Sequence, residues 1–108
     1  MRILILGAGK MGSFFADVLS FDHEVAVLDT DPKKMRFIYN TQRMTAPADV
    51  KEFAPELVIN AATLKFTIEA FNNVLEYLPK NCILSDIASV KTGLEEFYKK
   101  CDHPYVST

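Results

Sequence analysis

Three groups of side chains in this sequence have the types and spacing to do chemistry. The first is Gly7-Ala8-Gly9-Lys10-Met11-Gly12. The apolar run Ile3-Leu4-Ile5-Leu6 leads straight into it. Met11, Phe14, Phe15, Val18 and Leu19 then recur at helical spacing. A strand, G-x-G-x-x-G and an amphipathic helix, in that order, form a dinucleotide-binding fingerprint. Gly7 permits the tight turn out of the strand, Gly9 leaves room for backbone to approach a pyrophosphate, and Gly12 lets helix and strand pack closely. The start of the helix offers free N–H groups and a partial positive charge to the phosphates.

The fingerprint requires an acid at the end of the second strand. His23-Glu-Val-Ala-Val-Leu-Asp29 supplies it, 17 residues beyond Gly12 (29 − 12), close to the expected spacing of roughly 20. A carboxylate there accepts hydrogen bonds from both ribose hydroxyls of NAD and repels the extra phosphate of NADP. Ala8, Lys10 and Met11 inside the fingerprint, and Thr30 beside the acid, complete this part of the expected cofactor site. Lys33, Lys34 and Arg36 follow closely: they either soften the preference for NAD, leaving NADP open, or form a solvated helix face.

The second group lies at the end of Leu57-Val-Ile-Asn-Ala-Ala-Thr63. In open α/β sheets, ligands bind beyond the carboxyl ends of the strands. Ala62 and Thr63 are therefore expected beside the cofactor, although close packing against a helix explains Ala61 and Ala62 equally well. The third group is Ser85-Asp86-Ile87-Ala88-Ser89-Val90-Lys91. It straddles a strand-to-helix turn near the nicotinamide end of a cofactor held in this topology, which places Ala88 at the cofactor. By spacing alone, Ser89 caps a helix, Asp86 hydrogen-bonds the turn and Lys91 is solvated.

The elements that position these groups alternate. Strands are expected at Ile3–Leu6, in the run His23–Asp29, within Asn40–Thr45, at Leu57–Thr63, Cys82–Ile87 and Pro104–Thr108. Helices are expected after Gly9, after Asp31-Pro32 (an N-cap followed by proline at the first position), over Val50–Phe53, over Phe66–Leu78, and after Lys91. Met35, Ile38 and Tyr39 form a short apolar stripe. Thr92-Gly-Leu-Glu95 fits a capping box, with Leu94, Phe97, Tyr98 and Cys101 as the apolar stripe behind it. The fold class is α/β: a Rossmann-type doubly wound parallel sheet of about six strands in the order 3-2-1-4-5-6, forming one dinucleotide-binding domain over residues 1–108.

Composition narrows the function classes. The 49% apolar and 24% charged content is that of an ordinary globular chain, and a net charge of −2 carries no nucleic-acid footprint. No apolar run is long enough for a membrane span, and Gly7 and Gly9 interrupt the N-terminal run before it resembles a signal peptide. The two cysteines, Cys82 and Cys101, are far apart and read as buried free thiols in a reducing cytoplasm. With two histidines and no ligand spacing, no metal site is expected.

Gly-Ala-Gly-Lys-Met-Gly at 7–12, the acid at 29 and Asp86-Ile-Ala-Ser89-Val-Lys91 together resemble the prephenate and arogenate dehydrogenases, within the 6-phosphogluconate-dehydrogenase-like superfamily. The resemblance covers essentially the whole chain, and D-x-x-S-V-K is its more specific part. It implies an NAD- or NADP-binding first domain. A helical second domain would provide most of the substrate site and the contacts of a homodimer. The implied reaction is oxidative decarboxylation of prephenate or arogenate on the route to tyrosine, with hydride passing to the nicotinamide. It also implies that Ser89 is the motif serine that hydrogen-bonds near a catalytic histidine.

That histidine belongs to a His-Pro motif after the sixth strand. His103-Pro104 precedes the strand here and reads as a surface histidine at its entrance. The chain is therefore expected to be a cofactor domain without turnover of its own. Three other readings compete: an NAD-binding regulatory module of a potassium channel or transporter, a dehydrogenase or reductase of the same superfamily with another substrate, and a non-catalytic nucleotide sensor. The first of these usually carries a Gly-Asp-Ala-Thr-like stretch that is absent here.

Overall fold

The computed structural model describes residues 1–38, 41–63, 66–88 and 93–107. The strands are β1 (Arg2–Leu6), β2 (Glu24–Leu28), β3 (Gln42–Met44), β4 (Leu57–Asn60), β5 (Ile83–Asp86) and β6 (Tyr105–Ser107). The helices are α1 (Lys10–Leu19), α2 (Asp49–Phe53), α3 (Thr67–Val74) and α4 (Leu94–Lys100). The strands form a six-stranded parallel sheet in the order β3-β2-β1-β4-β5-β6. This is the expected doubly wound order, with its reversal between β1 and β4.

β1 and β2 are near-continuous apolar runs because helices cover both of their faces. Leu4 stands level with Ala26 on one side and Val58 on the other. Alternation then sorts the side chains. Leu4, Leu6, Ala26, Leu28, Val58 and Leu84 point into a core shared with α2, α3 and α4. Ile3, Ile5, Val25 and Val27 point into a second core with Ala16 of α1 and with Met35 and Ile38.

Local chemistry sets the boundaries. Asp31 accepts from the N–H of Lys33 at 3.0 Å and Pro32 opens the turn, as expected, but the element from Pro32 to Phe37 is a 3₁₀ helix. Phe66–Leu78 is likewise shorter as an α-helix than its periodicity predicts: α3 ends at Val74 and one 3₁₀ turn continues to Tyr77. Phe71 of the expected stripe is buried, and Ile68, Leu75 and Leu78 pack against the core. α4 begins at Leu94 with Gly93 in the capping position at φ 76°, while Thr92 lies outside the described residues. Leu94 and Tyr98 are buried, with Phe97 and Cys101 packed against the same core.

The apolar stripe of α1 is corrected by the structure. Gly12 and Ala16 are the buried residues of this helix, while Phe15 and Leu19 are half-buried beside them. Met11, Phe14 and Val18 point outward. The cause is the close approach of α1 to the sheet: a Cβ on Gly12 would overlap the carbonyl oxygen of Gly7. Only small residues fit that contact, so the large ones are displaced to the flank and to the outer face.

Candidate functional site

A cavity of about 390 Å³ opens at the carboxyl ends of β1, β2 and β4, where the strand order reverses. The size suits a small-molecule ligand. The glycine turn forms its floor. Gly7 sits at φ 95°, and a Cβ there would press on Ala62 N at 3.1 Å and on the Ala61 carbonyl carbon at 3.2 Å. Two reasons thus require glycine at one position: a left-handed backbone and a crowded neighbour. Gly9 differs. It precedes α1 in extended backbone, a Cβ there would meet nothing within 4 Å, and it lines the cavity. No side chain caps the N-terminus of α1, and its first turn carries no acid. The N–H groups beside Gly9 are therefore open to an incoming anion.

Asp29 forms one wall. Its Oδ2 accepts from the N–H of Ala8 and its Oδ1 from the N–H of Asp31, each at 2.9 Å. The carboxylate therefore ties the glycine loop to the loop after β2. Each oxygen keeps a lone pair for a further donor in the cavity. Thr30, Asp31 and Lys34 continue this wall. Of the three basic residues after Asp29, Lys34 is the one that lines the cavity, while Lys33 and Arg36 are exposed.

The opposite wall comes from the β4–α3 connection: Ala61, Ala62, Thr63 and Phe66, then Glu69, Ala70 and Asn73 along α3. Asn60, fully buried at the end of β4, holds it in place. Its Nδ2 donates to the Thr67 carbonyl at 2.8 Å and its Oδ1 accepts from the N–H of Ala62 at 3.1 Å. Thr67 closes the same loop, its hydroxyl donating to the Thr63 carbonyl at 3.3 Å.

The structure thus brings Gly7, Gly9, Asp29, Thr30, Ala62 and Thr63 around one cavity. Ala8 is buried with its N–H on Asp29, Lys10 and Met11 are exposed on the first turn of α1, and Gly12 is buried against Gly7. Ala88 is half-buried after β5 and donates to Asp86 Oδ1 at 3.0 Å. Ser89, Lys91 and their neighbours lie outside the described residues. Asn60, Pro47, Phe66 and Asn73 were not singled out as site residues in the sequence. Asn60 carried a signal, an Asx residue at a strand end ahead of small residues. The others come together only when distant loops fold against each other.

The β5 end is built differently. Asp86 is buried, and its Oδ2 accepts from the Tyr98 hydroxyl at 2.7 Å. Burial, and secondarily this hydrogen bond and the charge of Asp86, push the Tyr98 hydroxyl above its ordinary range. Tyr98 stacks on Tyr105 at a ring separation of 4.5 Å and meets Phe71 and Phe97 edge-on. His103 is half-buried, its Nδ1 directed at the Cys82 carbonyl at 3.2 Å. Both cysteines are free, Cys82 buried and Cys101 half-buried. Among the described residues there is no cluster that could hold a metal ion, and no helix is long and apolar enough to cross a membrane.

No family model and no curated protein matches the sequence. Solved structures do match the fold. Prephenate dehydrogenase from A. aeolicus, in complex with hydroxyphenyl propionate and NAD+, superposes with a TM-score of 0.82 over 99% of this chain at 24% identity, covering 40% of that protein. The chain carries the Rossmann fold. Synechocystis arogenate dehydrogenase matches with a TM-score of 0.77 at 18% identity over 93% of this chain and 37% of its own. An imine reductase from Myxococcus stipitatus, in complex with NADP+, matches at 0.82 and 14% identity over 99% of this chain and 40% of its own. The Rossmann fold described here thus spans about two fifths of the length of each of these proteins.

Proposed function

We propose that this chain binds a nicotinamide dinucleotide, NAD in preference to NADP, as the cofactor domain of an oxidoreductase similar to prephenate or arogenate dehydrogenase. The observation that carries the reading is the convergence of Gly7, Gly9 and a braced Asp29 on one cavity at the strand-order reversal. The residues fit the group. Open space at Gly9 and the uncapped start of α1 suit a pyrophosphate. The free lone pairs of Asp29 suit the vicinal hydroxyls of a ribose. Asp31 beside it and a lone Lys34 leave that corner poor in positive charge for a 2′-phosphate.

The nicotinamide, when bound, supplies the hydride acceptor. The chain's own residues bind and orient: Gly9 and the start of α1 take the phosphates, Asp29 takes the ribose, and Ala62 and Thr63 border the path toward the ring. Ala88, just after β5, is assigned to the nicotinamide end, and Ser89, next in the sequence, is assigned as the hydrogen-bond partner of the catalytic base. The base, the prephenate or arogenate site and the homodimer contacts are assigned to a helical domain following this one, in a cytoplasmic enzyme. This part of the reading is supported by the Asp86-Ile-Ala-Ser89-Val-Lys91 stretch and by the fold shared with both dehydrogenases.

Calorimetric titration of the chain with NAD and with NADP tests the binding. Saturable NAD binding, at least about tenfold tighter than NADP, is expected. Gly9→Val, whose side chain enters open space, is expected to weaken it by at least about tenfold with an unchanged melting temperature. No saturable binding of either dinucleotide would overturn the reading. Prephenate and arogenate oxidation by a longer chain containing the helical domain tests the substrate, and Ser89→Ala is expected to lower turnover there while leaving cofactor affinity nearly intact.

A further inference from the structure

One wall of the cavity carries chemistry that the phosphates and the ribose do not use. Phe66, Glu69, Ala70 and Asn73 line it at spacing i, i+3, i+4 and i+7, a single stripe along α3. The opposite face of the helix, with Thr67, Phe71 and Val74, is buried. Two kinds of surface meet in the stripe. Phe66 and Ala70 are apolar, and Pro47 ahead of α2 lines the same cavity. Phe66 is 50% exposed, so its ring is not enclosed by the core. Glu69 and Asn73 are exposed. Among the described residues, no hydrogen bond or ion pair within the chain engages either of them.

An aromatic and apolar surface with a few polar groups beside it suits a heteroaromatic ring, whose face stacks and whose edge forms hydrogen bonds. The Glu69 carboxylate disfavours phosphate at this wall. With the phosphates at Gly9 and the ribose on Asp29, the part of the dinucleotide left for the stripe is the base that this ribose carries. An ionised Glu69 can only accept hydrogen bonds, whereas the Asn73 amide both donates and accepts. Adenine offers the matching set at one edge: an exocyclic amino group that donates and a ring nitrogen that accepts.

We propose that the α3 stripe holds the adenine base, with Phe66 stacked on the ring, Glu69 accepting from the exocyclic amino group and Asn73 donating to a ring nitrogen. The inference rests on the dinucleotide reading and adds to it the residues that recognise the base.

Calorimetric titration of the chain with NAD and with the analogue in which purine replaces adenine tests it. The analogue lacks only the exocyclic amino group, so it leaves Glu69 without its donor. It is expected to bind about threefold to tenfold more weakly than NAD. Glu69→Ala is expected to bring the ratio between the two close to one. The ratio is the readout because both ligands carry the same phosphates, so loss of the Glu69 charge affects them alike. Phe66→Ala is expected to weaken both at least about fivefold, with the ratio kept and the melting temperature unchanged. Equal affinity of wild type for NAD and the analogue overturns this inference and leaves the cofactor reading standing. A ratio that Glu69→Ala does not alter, or an NAD affinity that Phe66→Ala does not lower, also overturns it. Absence of saturable NAD binding overturns the cofactor reading and this inference with it.

Discussion

Two carboxylates end two parallel strands of the same sheet, and they are built for different work. Asp29, after β2, is partly exposed at the wall of a cavity, with one oxygen on each of two backbone N–H groups. Asp86, at the end of β5, is buried, with one oxygen on the Ala88 N–H and the other on the Tyr98 hydroxyl under a layer of aromatic rings. Both brace a loop. The first keeps acceptor capacity facing open space, whereas the second is enclosed by the protein itself. The end of a strand in this fold is thus a place where either a ligand or the chain can satisfy an acid. Enclosure decides which, and the residue type does not.

The comparison predicts that changes around Asp29 alter binding and changes around Asp86 alter stability. The largest effect is expected at the point where the cavity floor is part of the packing. Gly12→Val would drive a branched side chain into the Gly7 carbonyl and should cost at least about 3 kcal/mol, a drop of roughly 15 °C or more in melting temperature. A Gly12→Val variant as stable as wild type that merely failed to bind dinucleotide would break the division between floor and core. Next comes the enclosed acid. Asp86→Leu leaves the Tyr98 hydroxyl and the Ala88 N–H without their partner and should cost about 3 kcal/mol, a drop of roughly 10–20 °C in melting temperature. Tyr98→Phe should cost about 2 kcal/mol by removing one hydrogen bond to a charged group. Melting curves of both variants without ligand would check this ranking, and an Asp86→Leu chain as stable as wild type would reverse the roles of the two acids.

The difference between the two ends also marks how far residues alone lead. The glycine loop and Asp29 were legible because their work is local: a tight turn, an open approach and a following acid are each written within 23 residues (29 − 7 + 1). The strand order followed from strict alternation and from the fingerprint. The inward face of α1 was not legible, because apolar size misleads where the sheet approaches so closely that only Gly12 and Ala16 fit. Nor was the partnership of Asp86 with Tyr98, twelve residues apart: periodicity marks Tyr98 as core, and nothing in its spacing tells which acid its hydroxyl will meet. The rest of the lining, with Pro47 before α2, Phe66 before α3 and Asn73 on α3, depends on tertiary contact between segments that carry no shared motif.

A smaller effect sharpens the open side. Asp29→Ala should cost about 1 kcal/mol of stability, because one of its two hydrogen bonds, to the Asp31 N–H, is exposed and water can replace the carboxylate there, while the other, to the Ala8 N–H, is only partly buried. Affinity for NAD should fall about tenfold while affinity for NADP changes little, so the ratio between the two narrows. Parallel titrations of wild type and variant give that ratio directly. An unchanged ratio would remove Asp29 from the ribose and leave it a loop brace of the same kind as Asp86.

The smallest effect at neutral pH becomes visible only in alkali, and it belongs to the enclosed half alone. Burial pushes the Cys82 thiol from 9.0 up to about 12, and burial with the Asp86 hydrogen bond pushes the Tyr98 hydroxyl above its ordinary 10.0. In both groups the folded state favours the protonated form. Their contribution is therefore complete below the unfolded values and is lost as pH rises through them toward the folded ones. Stability should hold from neutral pH to about 9 and then fall steadily toward pH 12. Urea midpoints at about pH 8 and about pH 11 should show a large drop for wild type and a smaller one for Tyr98→Phe, and smaller again for Tyr98→Phe with Cys82→Ala. Asp29→Ala should follow the wild-type curve, because the cavity side contributes neither of these groups. If Asp29→Ala flattened the alkaline loss as much as Tyr98→Phe does, the two ends of the sheet would share one titrating network, and the separation between a binding acid and a structural acid would fail.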